Sequence, residues 1–591
     1  MPRKKNTNSK QKVSDPEALK KLAIEEVQKG NIEKSVQLLS EAIDLQNDNP
    51  VFYNNRSFAY FLLDDFQNSL QDAKKAIELK KDYGKAYVRC AQAYLELDKL
   101  EEGIEIIKEG KKYCPQEDLE EIEQTLHTEW KKQNVLPPES EELQVQNKML
   151  QWLKDGGSDY SNLRIYFYEK NFRGVHAAKK IKKNQEILFV PLSHLITLDM
   201  ARQDPICQIV MENKVELFSP KHSHFSIYLL REKNNPNSIW KPYLDILPSD
   251  YRTFPIFFTD EEFKYLKGSH FIEQVKERKS EMKRDYDNIC EAVEEFKKYS
   301  FHEFCWARMT ASSRNFGVEI NGNKTDVLAP LADMLNHKRP KQTHWTFKND
   351  KQGFVIEACQ GFERGEQIYD SYGKKCNSRF LLNYGFTVDD NDGNEVYIRV
   401  EFDPNDPTLS QKQEYMKGNN SNNPHLFKGF RIQESYEEQA NLDCLGYIRY
   451  TLLQDSQKIY ELNQLHLQQQ QNNRGKNTGY LPQKTGFIST KNEIQMWKLF
   501  KILLEIQQSK YENSIEHDEK VLNDPSNDIN IINCTKLLLG EKIILRKQID
   551  LAEKMLNLFQ LTKKEIQQCQ QKPEYIEYTN YINKVIIPNK L

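Results

Sequence analysis

Residues of matching size recur every 34 positions through the first part of the chain. Ile32, Phe66 and Leu100 are spaced this way, as are Ser35, Ser69 and Gly103, and Ala42, Ala76 and Gly110. Tyr53 with Tyr87, Ala59 with Ala93 and Tyr60 with Tyr94 extend the register through the second and third copies. A period of this length is one supersecondary unit, a pair of helices that cannot bury its apolar face alone, so copies must stack on one another. The small residues fall where two helices would touch. Three copies span Glu17 to Asp118, about the minimum that buries a continuous face, and "DLEEIEQTLHTEWKKQ" reads as a capping helix.

The period is that of tetratricopeptide helix pairs, so residues 17–133 are expected to form an all-α solenoid after a basic tail over 1–16. At 591 residues the chain is too long for one core, and roughly three or four domains are expected. Lys and Arg total 84 against 87 Asp and Glu, a net charge of −3, so the chain as a whole offers no electrostatic case for nucleic acid. The ten cysteines stand singly, with no CxxC pair, which speaks against zinc modules and a disulfide framework. No apolar run approaches the ~18 residues of a membrane span, and "MPRKKNTNSKQK" lacks the apolar core of a signal peptide. These features place the protein in the cytoplasm, or in the nucleus if the basic start is a signal rather than a solvated tail.

"NVLPPESEE" opens a linker over 134–149, because Pro137-Pro138 stops a helix and the acidic run stays in water. From Leu163 short β-type runs appear: "LRIYFY", "EILFVPL", "GFVIEAC" and "EVYIRVEF". They bound a β-rich domain over 150–400 with a helical insert at about 199–309, where aromatic residues cluster around Trp240, Tyr243 and Phe254 to Phe258. Residues 401–591 read as helical, interrupted over 462–483 by a Gln/Asn-rich insertion expected to be disordered. The fold class is therefore a multidomain α+β chain: helical repeats, a β-rich core and a C-terminal helical domain.

Between Val327 and Phe386 the chain reads "VLAPLADMLNHKRP", then "GFVIEACQGFERGEQIYDSYG" and "NYGF". That order, with "NFRG" and "SSRNF" upstream, resembles SET-domain protein methyltransferases of the branch that includes the Rubisco large-subunit methyltransferase. The resemblance implies S-adenosyl-L-methionine as methyl donor and no metal. It implies that Asn336 and His337 bind the donor's amino-acid and adenine portions, and that Asn171, Phe172, Arg173 and Gly174 give mostly backbone contacts. Relatives commonly carry an acidic residue at Asn171 and a glycine at Phe172. The tyrosine whose hydroxyl faces the methyl would be Tyr372. Tyr384 would line the target-side-chain channel, Phe386 would pack near the adenine, Arg314 would touch donor and substrate, and Asp333 would offer its carbonyl to the target amine. Histidine-methylating relatives carry an asparagine and a tryptophan where Phe316 and Ala332 stand here, so the resemblance implies a lysine acceptor on a protein substrate, with a protein-histidine or histone-lysine acceptor as alternatives.

Each motif alone has an ordinary explanation, since Asn-His after an apolar run is usually a turn and a tyrosine usually fills a core. The weight lies in their order. The segments "GNIEKSVQLLSEAI", "YNNRSFAY" and "YGKAYVRCAQAY" resemble tetratricopeptide domains that clamp the acidic C-terminus of heat-shock chaperones. That resemblance puts a peptide clamp at Lys20, Asn55, Lys85 and Arg89, with Ile24 where an asparagine is usual. A scaffold with a silent SET module is the competing function.

Overall fold

In the computed structural model, residues 15–97, 99–115, 119–133, 140–169, 172–417, 427–472 and 481–589 are described. They divide into two compact units. One combines residues 1–193 with 334–370, and the other combines 194–333 with 371–591.

In the first unit the 34-residue period becomes helices α1 (Pro16–Gln28), α2 (Ile32–Leu45), α3 (Pro50–Leu62), α4 (Phe66–Leu79), α5 (Gly84–Glu96), α6 (Leu100–Tyr113) and α7 (Glu120–Gln133). The first helices of successive pairs start at 16, 50 and 84, and the second at 32, 66 and 100, in strict register. Asp15 and Asn49 cap α1 and α3 with side-chain oxygens, and a proline follows each, because a first-turn residue has no N–H to lose. The recurring small residues lie at helix contacts. Ala42 and Ala76 are fully buried, and a Cβ on Gly110 would sit 2.8 Å from the Tyr87 ring. Helix α8 (Glu141–Asp155) occupies most of the segment expected as linker. Its apolar face, Leu143, Met149 and Leu153, is buried, so amphipathic spacing overrode the helix-breaking prolines upstream. The tail expected over 1–16 lies outside the described residues up to position 14.

The β segments of this unit make two three-stranded antiparallel sheets. One orders β1 (Leu163–Glu169), β2 (Phe172–Ala177) and β9 (Gln367–Ile368). The other orders β3 (Glu186–Pro191), β8 (Gly353–Ala358) and β7 (Thr343–Lys348).

In the second unit β4 (Ile196–Thr197), β6 (Asn323–Leu328) and β5 (Asn315–Ile320) form a further sheet in the order β4-β6-β5. The expected helical insert contains the helices Pro220–Lys233, Phe271–Ala292 and Phe301–Arg314. Asp285 pins all three: it accepts from Ser223 Oγ at 2.8 Å and from Phe218 N at 2.6 Å, and Arg308 Nη1 stands 3.4 Å away. β10 (Glu395–Glu401) pairs along its whole length with β11 (Phe427–Gln433), and Val396, Ile398 and Val400 face the core of the C-terminal helical domain. That core surrounds Trp497 and a buried bidentate pair, in which Arg449 Nε and Nη2 each lie 2.7 Å from the Glu493 carboxylate. The expected Gln/Asn-rich insertion is helical in its first half, since the helix Ser456–Asn472 continues through it, and 473–480 lie outside the described residues. Among the described residues no helix is long and apolar enough to cross a membrane.

Glu541, on the long helix Ile529–Leu558, is buried and accepts from Tyr511 Oη at 2.7 Å and from Ser269 Oγ at 2.8 Å. Burial pushes its carboxyl up to about 7. A carboxyl raised on folding stabilises the fold at low pH, and that contribution fades as pH rises from the ordinary value, near 4.5, through about 7. Replacing Glu541 by Gln should therefore leave the urea midpoint nearly unchanged at pH 5 and raise it at pH 8.5, by roughly 2–3 kcal/mol of unfolding free energy.

Candidate active site

The residues singled out in the sequence fall into both units. In the first, the Asn-His segment runs beside residue 370 as a short parallel bridge: Asp370 N donates to Asn336 O at 2.9 Å, and Lys338 N to Asp370 O at 3.0 Å. The Asn336 side chain turns towards β2 and donates through Nδ2 to the Arg173 carbonyl at 3.0 Å. A carbonyl can only accept, so the NH₂ end of the amide must face Arg173, and Oδ1 points away as an acceptor. Buried Leu335 and Met334 anchor the run from behind. Arg173, expected to offer its backbone to a ligand, thus spends one carbonyl lone pair on Asn336.

Gly174, next in β2, is required by close approach, because a Cβ there would lie 2.4 Å from both Tyr168 Oη and Gln367 Nε2. Tyr168 is held by His176. His176 Nδ1 stands 2.8 Å from the Gly365 carbonyl and so carries the hydrogen, leaving Nε2 to accept from Tyr168 Oη at 2.6 Å. Burial lowers the His176 pKa, which keeps that neutral tautomer, and burial raises Tyr168 to about 12. Phe172 is exposed, with its ring 4.9 Å from that of Tyr168. Asn171 lies outside the described residues.

In the second unit two sets assemble. Asp333, on the short turn Ala332–Met334, has a fully buried side chain, and its Oδ2 accepts from Tyr243 Oη at 2.8 Å and Arg314 Nη1 at 3.0 Å. The same Nη1 reaches the Asp333 carbonyl at 3.1 Å, and Arg314 Nε reaches Tyr251 Oη at 3.4 Å. Burial works against the Arg314 charge, but Tyr251, Asp333 and Tyr243 around it hold its pKa above the ordinary value. Burial, and then the Asp333 charge, drive the Tyr243 hydroxyl far up, so it stays a donor. Asp333 Oδ1 is buried with no partner. The carbonyl expected to meet a target amine is therefore fixed in place by Arg314, which uses one of its two lone pairs. Ala332 and Phe316 are both buried, the latter on β5 opposite Val327.

The other set is aromatic. The Tyr372 and Tyr384 rings stack with centroids 4.8 Å apart, and Phe386 meets Tyr372 edge-on at 6.2 Å while stacking on Phe380 at 5.3 Å. Local sequence makes this possible. The helix Asn377–Tyr384 ends at Gly385 with φ +75°, and a Cβ there would lie 2.6 Å from Phe254 and Thr253 Oγ1, so only glycine turns Phe386 back. Lys375 donates through Nζ to the Tyr372 carbonyl and lies over the Tyr384 ring, and burial lowers its pKa. Tyr243, Tyr251 and His176 are positioning groups that sequence reasoning missed. The aromatic clustering around Tyr243 was a signal, but not of where its hydroxyl points.

The clamp residues stand on the first helices of successive repeats: Lys20 on α1, Asn55 on α3, and Lys85 and Arg89 on α5. Lys20 pairs with Glu17. Lys85 is exposed, and so is Ile24. Arg89 is half-buried, lies 4.1 Å over the Phe58 ring and donates to Gln92 Oε1 at 2.6 Å. Among the described residues no carboxylate pairs with it, and burial lowers its pKa. Among the described residues no group of His, Cys, Asp and Glu could hold a metal ion.

Replacing Arg314 by Met would strand the buried Asp333 carboxylate with Tyr243 alone. Loss of about 3–5 kcal/mol in urea-monitored stability is expected, against about 1 kcal/mol for an exposed arginine.

Three family models match the chain: the SET domain over 172–373, the Rubisco LSMT substrate-binding domain over 403–545 and a tetratricopeptide repeat over 51–83. The actin-histidine N-methyltransferases of Gallus gallus and Homo sapiens are 25% and 24% identical over 414 residues, 68% of this chain and 67% of theirs. A crystal structure of the SET domain of LSMT bound to lysine and AdoHcy matches with a TM-score of 0.58 at 21% identity, over 74% of this chain and 99% of that one. A structure of Rubisco LSMT bound to sinefungin and monomethyllysine matches with a TM-score of 0.54 at 20% identity, over 75% of this chain and all of that one (100%). These likenesses establish the fold.

Proposed function

We propose that this chain, a SET-domain protein with a Rubisco LSMT-type substrate-binding domain and tetratricopeptide repeats, transfers a methyl group from S-adenosyl-L-methionine to a lysine side chain of another protein. The observation that carries the reading is the Tyr372–Tyr384–Phe386 ring cluster, in the same compact unit as the Asp333 carbonyl fixed by Arg314. The donor's chemistry is that of a sulfonium, whose methyl carbon is open to in-line attack.

The residues present suit that donor. Asn336 Oδ1, turned outward by the bond to Arg173, is placed to accept from an ammonium. The backbone of Arg173 and Gly174 lies on β2 beside that amide. The acceptor must arrive as a neutral amine, since an ordinary lysine holds its proton up to ~10.4. Apolar surroundings from Phe316, Ala332 and the Tyr384 ring would disfavour the ammonium and pack the aliphatic stem. The free lone pair of the Asp333 carbonyl accepts one amine hydrogen and aims the nitrogen lone pair. The Tyr372 hydroxyl would orient the bound donor's methyl group, and the donor would supply a methyl carbon whose bond to nitrogen forms as its bond to sulfur breaks, releasing the thioether. Most of the gain is positional, worth several kcal/mol of barrier.

A lysine acceptor is supported by Phe316 and Ala332. The histidine-methylating relatives favour an imidazole instead, and the same experiment decides. Incubation with radiolabelled S-adenosyl-L-methionine and a methyl-depleted lysate should label a discrete protein with the wild type. Tyr372→Phe should fold normally and label it at least a hundredfold less, given typical losses of a positioned hydroxyl. Mass spectrometry of the product should find methyl-lysine. Methyl-histidine would overturn the acceptor assignment, and undiminished labelling by Tyr372→Phe would overturn the site. A scaffold would neither label nor bind the donor.

The repeat domain recruits the partner. Arg89, a half-buried cation without a carboxylate among the described residues, together with Lys85 and Asn55, suits an acidic C-terminus such as that of a heat-shock chaperone. Lys20 would have to leave Glu17 to join them. Lys85→Ala with Arg89→Ala should lower the affinity for a synthetic acidic peptide with a free carboxylate by about a hundredfold, read by fluorescence anisotropy, while donor binding stays unchanged.

A further inference from the structure

We propose that Arg364 is a positioning residue that braces the methyl donor's strand against the repeat domain, so that the repeats form part of the donor site's support. The inference rests on the methyl-donor reading above and extends it to residues that reading does not use.

Arg364 lies in the loop before β9, and its side chain reaches the end of α5. Nη2 donates to the Leu95 carbonyl at 2.5 Å, and Nη1 stands 3.5 Å from Glu96 Oε2. Helix α5 ends at Glu96, so Leu95 holds one of the last-turn carbonyls, at the negative end of the helix dipole. A guanidinium is the natural cap for such an end.

The next residue carries the connection inward. Gly365, with φ +84°, donates its N–H to the Ala177 carbonyl at 2.8 Å and accepts from His176 Nδ1 at 2.8 Å. His176 in turn receives the Tyr168 hydroxyl, which lies where a side chain on Gly174 would stand. Gln367, three residues after Arg364, crowds the same side of that glycine beside Tyr168. Arg173, one position before it, holds the Asn336 amide. β9 pairs with β2 only through Val175 with Ile368 and His176 with Gln367. β1 pairs with β2 along its length, so what the loop tied down by Arg364 sets is how β9 and Gly365 lie against the other edge of β2. All of these groups lie in one compact unit, and α5 is also the helix that bears Lys85 and Arg89.

The test uses the full chain. Arg364→Ala should bind S-adenosylhomocysteine about five- to tenfold more weakly by calorimetry, the loss of one charge-assisted hydrogen bond transmitted to the strand. Its KM for the donor should rise by the same factor, with kcat within about twofold of wild type. Amide exchange over 172–177 should quicken in the variant, while the thermal midpoint of the C-terminal domain stays in place. Arg364→Lys should recover part of the affinity, because an ammonium still reaches the Leu95 carbonyl. Equal affinity and equal exchange in Arg364→Ala would overturn the proposal. A wild type that fails to bind S-adenosylhomocysteine would sink the proposed activity, and the exchange comparison would still decide the role of Arg364.

Discussion

One side-chain amide joins three distant parts of the chain. Asn336 donates to Arg173, 163 positions earlier, and its own carbonyl receives the N–H of Asp370. Remove that amide and β2 loses a partner, while the Asn-His segment keeps only its backbone bridge to Asp370 and its buried Met334 and Leu335. Buried backbone groups must be paired, so a crossing of this kind is satisfied as a whole or not at all. Close packing continues along the same strand, where Tyr168 and Gln367 crowd Gly174 and the Gly365 carbonyl sets the neutral tautomer of His176.

The second unit is organised by buried charge. Asp333, Asp285 and Glu493 each lie out of water, and each is matched by an arginine and at least one hydroxyl. Such pairs contribute little net stability compared with apolar substitutes, but breaking one is costly, so they specify geometry more than they add free energy. At Asp333 the geometry concerns a backbone carbonyl that chemistry can use. Glu541 is the contrast: it has hydroxyl partners but no buried arginine, and its carboxyl titrates near neutrality.

Much of the architecture was legible because it repeats or alternates. The 34-residue period predicted helix starts in strict register, since each unit packs only on its neighbours. The order of glycine loop, "RNF", "LNH", "YDSYG" and "NYGF" picked out Gly174, Arg314, Asn336, Tyr372 and Tyr384, but not the segments of Tyr243 and Tyr251 that bond to Asp333 and Arg314. Expectations failed where a local signal competed with packing. Pro137-Pro138 suggested a linker, yet Leu143, Met149 and Leu153 bury a helix there. Glutamine-rich composition suggested disorder over 462–483, yet glutamine is a good helix former and the helix runs on to Asn472.

The sequence by itself determined the repeat solenoid and the α+β class, because periodicity, turn glycines and residue order are properties of the chain read in one dimension. Tertiary structure alone decided which distant groups the polar side chains meet. Tyr243 meets Asp333 from 90 positions away, Arg364 reaches Leu95 across 269, and Gly365 sets the tautomer of His176 from 189. Each is a hydrogen bond between groups that no local pattern couples. Direction and partner are settled only when separate elements pack and every buried donor and acceptor has to be satisfied.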